Sequence, residues 1–154
     1  MGLLPILAIA TTLVPHTLRE RAQQSDRVAL VQVLSQRTER TADATFPLKT
    51  YTTVAVGTDL RGTGPAQLTI VQIGGSDGAL TQIIPGDAQF RVGETAVVFV
   101  TCKLGPDRCH LVALGAGKLD VQGDTVFVPD LHTGAWSKKT LKELTAEVAV
   151  GVAR

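Results

Sequence analysis

A chain of 154 residues with 44% hydrophobic content has the length of one domain and is too apolar for a disordered segment. Its formal net charge of +1 gives no long-range field to draw it onto nucleic acid or an anionic membrane. Aromatics are scarce (four Phe, one Tyr, one Trp), so Val, Leu, Ile, Ala and Thr must build the core, and the β-branched share favours strands.

The opening MGLLPILAIATTLV is an apolar run of about 12 residues, short of the roughly 20 that span a bilayer. It fits the core of a secretory signal peptide, although only the α-amino group supplies the positive n-region. AIA at 8–10 resembles a small-residue cleavage site; cleavage between Thr12 and His16 suits the pattern equally. The expectation is a signal peptide over 1–16 and a single domain over 17–154, with no stable membrane span in the mature chain. The alternative is a buried N-terminal element. No Cys follows the apolar run, so a lipid anchor is not expected.

Thr17-Leu-Arg-Glu20 has the spacing of a capping box and predicts a short helix from Leu18 to about Gln24. Arg27–Ser35 is nearly continuously apolar and reads as a buried strand. Gln36–Pro47 is polar and patternless, which predicts an exposed loop. Leu48–Val56 is the second strand, and the breakers in 58–65 predict a turn cluster. Ala66–Ile73 alternates and forms the third strand. Gly74-Gly75-Ser76-Asp77-Gly78 is a flexible loop, and Leu80–Ile84 a short edge strand. Glu94–Thr101 and Cys109–Leu114 are the fourth and fifth strands, bent back at Gly105-Pro106-Asp107. Lys118–Gln122 and Thr125–Pro129 read as a weak edge hairpin across Gly123-Asp124. Thr140-Leu-Lys-Glu143 is a second capping box, and the helix from Leu141 to about Val150 puts Leu141, Leu144 and Val148 on one face. Five or six antiparallel strands with a helix at each end suggest a small closed barrel, because closure removes exposed edges.

Arg27–Val33, Tyr51–Val56, Ile73-Gly-Gly, Pro85-Gly with Phe90 and Gly93-Glu94, Val97–Val100 and Gly115-x-Gly117-Lys together resemble a group of small exported bacterial domains with a five-stranded OB-like barrel. They are similar to the netrin-like module of tissue inhibitors of metalloproteinases. The resemblance spans Leu18 to about Val148 and implies a mainly β, OB-like fold and export. That inhibitor family acts through an N-terminal Cys that ligates zinc. The chain has no Cys near its N-terminus, so no functional residue carries over.

Cys102 and Cys109 fall opposite each other on adjacent strands, at a separation a disulfide accepts. The bond requires an oxidising compartment, in line with a signal peptide; the alternative is a pair of reduced core thiols. A zinc site from Cys102, Cys109 and His110 is not expected. The cysteines are too far apart in sequence, and Cys109 and His110 point to opposite faces of a strand. No cofactor and no metal are expected. A hydrolase would need His110 or His132 with Asp130 and Ser137, but no nucleophile elbow precedes a helix. Gly74–Gly78 lacks a P-loop ending and reads as a turn. A single-stranded nucleic-acid site would need a basic groove with aromatic platforms, which +1 and buried Phe residues do not offer. Lys138, Lys139 and Lys142 solvate the last helix.

The function expected is therefore an exported, non-catalytic binding domain, periplasmic or secreted, for a protein or cell-envelope component. The candidate loops are Gln36–Phe46, Gly74–Gly78 and Gly105–Arg108. The alternatives are an inhibitor or accessory of a secreted peptidase, a hydrolase and a nucleic-acid binder.

Overall fold

The computed structural model describes residues 17–130 and 133–149. The expected signal peptide and its cleavage positions lie outside the described residues, as does His132. Two antiparallel strands of 14 residues, β1 (Arg27–Arg40) and β2 (Leu48–Arg61), carry the architecture. Both outrun their sequence readings. Gln36–Arg40 is strand rather than loop, paired residue by residue from Gln36↔Thr52 to Arg40↔Leu48. Its polar composition hid it, because neither face there packs on apolar core. Residues 58–61 are likewise strand: Leu60 is buried and Asp59 is ion-paired to Arg27, so the turn shrinks to 62–66.

β3 (Gln67–Ile73) pairs with β2, and the two-residue strands β4 (Gly75–Ser76) and β5 (Thr81–Gln82) form a small separate hairpin. β6 (Thr95–Thr101) pairs with β1 along one edge. Along its other edge it meets β7 (Arg108–Leu111) and then β8 (Lys118–Gln122). These two act as one partner strand with an excursion at 112–117. The expected strand Cys109–Leu114 therefore stops at Leu111. Ala113 and Leu114 take left-handed backbone angles (φ 59° and 52°) and lead into a 3-10 turn, Leu114–Gly117. A parallel contact between β3 and β7, at Thr69↔Arg108 and Ile70↔Cys109, closes β1-β2-β3-β7-β6 into a five-strand ring.

β9 (Thr125–Pro129) and β10 (Trp136–Thr140) continue the sheet from β8. The hairpin expected at the edge is thus inside the sheet, and the edge is β10. WSKKT is exposed at four of its five residues and has no apolar alternation that would reveal a strand.

Both helices start at the expected Thr, and the second capping box forms in full. The Thr17 hydroxyl accepts from the Glu20 amide at the start of α1 (Leu18–Gln23). Ahead of α2 (Leu141–Ala149), Thr140 and Glu143 exchange bonds of 3.0 and 3.3 Å. β6 is buried on both faces and divides the core by its period of two. Val98 and Val100 face the ring interior with Val31, Val33, Val54, Leu68, Ile70 and Phe90. Val97 and Phe99 face a second layer with Leu18, Ala22, Leu119, Val126, Leu144 and Val148. Cys102 and Cys109 are disulfide-bonded with Cα atoms 4.1 Å apart, one step beyond the pair Thr101↔His110.

Candidate functional site

The ring closes over only part of its longest strands. β1 contacts β6 through Gln32, and β3 contacts β7 only at Thr69 and Ile70. Past these points β1, β2 and β3 project as a three-stranded sheet whose inner face continues the ring interior. The side chains on that face change character at the same level. Val33, Val54 and Ile70 give way to Gln36, Thr38, Thr50, Thr52 and Gln72. A bulge between Val33 and Ser35 absorbs Leu34 and keeps Gln36 and Thr38 on the inner side.

Over this polar face lies a cleft of about 470 Å³, within the usual ~300–1,000 Å³ of small-molecule sites. Gln36, Thr38, Thr50 and Gln72 line the sheet side. Gly74–Ser76 and Thr81–Ile84 form one wall, Asp87–Gln89 another, and Phe90 lines it where it meets the core. The lining hydrogen bonds run largely between neighbours. Gln36 Nε2 donates to Thr52 Oγ1 (3.1 Å), and Gln72 Nε2 to the Ala88 carbonyl (2.8 Å). Thr50 Oγ1 donates to the Gly74 carbonyl (2.7 Å), so the Thr38 hydroxyl, 3.0 Å away, is the donor to Thr50. Gln82 Nε2 donates to the Thr45 carbonyl (3.0 Å), while Gln82 Oε1 is buried without a partner among the described residues. Leaving such an acceptor unmet costs about 1–3 kcal/mol.

The β4–β5 hairpin overhangs the cleft and is tied down at two points. Gly75 (φ 124°) lies so close to the sheet that a Cβ would fall on Thr50 Oγ1 and Thr38 Oγ1. Arg40 Nε donates to Asp77 Oδ2 at 2.6 Å, while Asp77 Oδ1 takes the amides of Ala79 and Leu80. The Arg40 bond, followed by these two amide bonds, holds the Asp77 carboxyl well below the usual carboxylate range. The facing wall is anchored by Lys118. Its ammonium reaches the Gln89 carbonyl and Glu94 (both 2.8 Å) and lies 5.2 Å from the Phe90 ring centre.

Of the loops singled out from sequence, Gly74, Gly75 and Ser76 line this cleft, Asp77 latches the hairpin, and Gly78 sits at its tip. Gln36 and Thr38 also line it, from a strand. Gly105–Arg108 does not; it forms the turn into β7, and the Asp107 carbonyl accepts from Thr69. Sequence reasoning missed Thr50, Gln72 and Gln82. The available signal was polar residues recurring at every second position of strands that begin apolar.

His110 lies on the outer side of the ring, its Nδ1 3.2 Å from the Val71 carbonyl. The Ser137 hydroxyl donates to the Val128 carbonyl. Also outside, Tyr51 sits under the guanidinium groups of Arg37 (4.7 Å) and Arg108 (5.9 Å). Arg37 is in turn paired with Glu39. Among the described residues no group of three or more His, Cys, Asp or Glu side chains gathers to hold a metal, and no helix is long and apolar enough to cross a membrane. No protein-family model matches the chain, and no curated protein matches it.

Proposed function

We propose that the chain is an exported, non-catalytic binding domain built on an OB-like barrel, and that it holds a protein or cell-envelope component in the cleft under the β4–β5 hairpin. The observation that carries this reading is the polar inner face of β1–β3, where Gln36, Thr38, Thr50 and Gln72 line a cleft roofed by that hairpin. The ring order β1-β2-β3-β7-β6 with a parallel closing pair supports the OB-like assignment and, at fold level only, the likeness to netrin-like modules. The Cys102–Cys109 bond supports an oxidising compartment, periplasmic or extracellular. A non-catalytic role is supported by the hydrogen bonding of His110 and Ser137 to separate backbone carbonyls.

The test uses immobilised protein and an extract of the host's own envelope. The wild type is expected to retain an envelope component, and Gln36→Trp, which puts an indole over the exposed mouth, to lose it. Equal retention by both would contradict the site.

A further inference from the structure

Within the binding reading above, and resting on it, the hydrogen-bond inventory of the cleft specifies a ligand class. Three of the four lining glutamines, Gln36, Gln72 and Gln82, each spend one amide N–H on the protein. Each keeps its carbonyl oxygen and its second N–H, because a primary amide carries two donors and one carbonyl acceptor. The Thr38 hydroxyl gives its proton to Thr50 and presents lone pairs. The Thr81 hydroxyl gives its proton to Ser76, whose own proton remains at the rim. Asp87 Oδ1 accepts from the Ala88 amide, and its second oxygen adds another acceptor. The lining is therefore neutral apart from one carboxylate, mixed in donors and acceptors, and richer in acceptors. Ile83, 76% exposed, and its neighbour Ile84 supply apolar surface beside these groups.

We infer that the cleft takes a polyhydroxyl ligand, a sugar unit whose hydroxyls donate to the carbonyl oxygens of Gln36 and Gln72 and to Thr38 and whose C–H face rests on Ile83 and Ile84. Three chemical comparisons favour this class. An anion meets acceptor oxygens and Asp87, with no Lys or Arg among the lining side chains. A peptide edge alternates N–H with C=O, so half its groups would bring further acceptors to an acceptor-rich wall. A hydroxyl both donates and accepts, so it serves the carbonyl and the remaining N–H of one glutamine together.

The test is ¹H–¹⁵N NMR of the disulfide-intact protein, following the side-chain amides of Gln36, Gln72 and Gln82. The probes are tetrasaccharides of β-linked glucose and of β-linked N-acetylglucosamine, the matching monosaccharides, a Gly-Ala hexapeptide and sodium phosphate. A sugar is expected to shift these amides saturably, and Thr38→Val to weaken that binding about five- to tenfold, the loss of one hydrogen bond. If Thr38→Val does not fold, Gln36→Ala, at an exposed position, reads the same loss. Affinity rising from monosaccharide to tetrasaccharide identifies a polymeric glycan as the source; equal affinities identify a free sugar. Shifts from peptide or phosphate alone overturn the sugar assignment. Shifts from the host's envelope extract without any from the sugars overturn the ligand class while leaving the site standing. No shift with the extract either removes the binding reading itself.

Discussion

Two ion pairs act at opposite ends of β1, one away from the cleft and one on its overhanging hairpin. Arg27 is 3% exposed and is held by both Asp59 oxygens (2.6 and 3.2 Å) and by the Pro65 carbonyl. Asp59→Ala would strand that guanidinium. Because the lost carboxylate is partly solvated, the expected cost is about 2–3 kcal/mol, at the lower edge of a buried-pair loss, read from the urea midpoint. The Arg40–Asp77 pair is at the surface and acts locally on the β4–β5 hairpin. The Asp77 carboxyl is depressed, so its contribution is fully present above the ordinary carboxylate range and is lost only as pH falls through the lower folded-state value. Hydrogen exchange at Ala79 and Leu80 should therefore keep its protection, relative to the intrinsic rate, down through the ordinary carboxylate range. Asp77→Ala should lose it at neutral pH. Protection fading in step with an ordinary carboxylate would show that the latch does not hold the hairpin.

At the level of elements, the sequence was most legible where one physical signal dominated. Both helices begin at their Ser/Thr-x-x-Glu boxes, and β6 announced itself by apolar continuity because it is buried on both faces. The second half of β1 was illegible for the opposite reason. Gln36 and Thr38 face a polar cleft, Arg37 and Glu39 face solvent, and so neither face carries the apolar period that marks a strand. The segment read as a loop is the sheet side of the site. β10 was hidden similarly, with exposed Trp136 and Lys138 stacked 5.8 Å from the Phe127 ring. The two terminal helices support the fold by covering the outer face of β6 rather than the cleft. Leu144, fully buried between them and the sheet, should cost about 3 kcal/mol as Leu144→Ala. Its effect should appear in global stability with the cleft amides unshifted. A change in the cleft without a fall in stability would mean that the two layers are not separate.

For the whole molecule, one covalent bond secures the weakest closure of the ring. β3 and β7 share only two paired residues, and Cys109, which sits in that contact, is tied through Cys102 to the end of β6. Closing an eight-residue loop stabilises by about 2.5 kcal/mol on the chain-entropy model. Cys102→Ser/Cys109→Ser should lower global stability by that amount in denaturant titration, with amide exchange rising first at positions 70 and 109. A double variant as stable as the parent would make the bond incidental to closure. The hairpin carrying the two cysteines was the most informative stretch of sequence, because strand pairing, a tight turn and cysteine spacing agreed there. The ligand was not legible in the same way. A cleft exists only once the chain is folded, and its donors and acceptors come from strands far apart in sequence.

Export is the premise that the disulfide and an envelope ligand share. The direct measurement is the intact mass of the protein taken from its host's envelope and medium, before and after reduction. The expected result is a mature chain lacking the N-terminal apolar run and about 2 Da lighter before reduction, the two hydrogens of one disulfide. A full-length chain with two free thiols would contradict the account and return the protein to the cytoplasm.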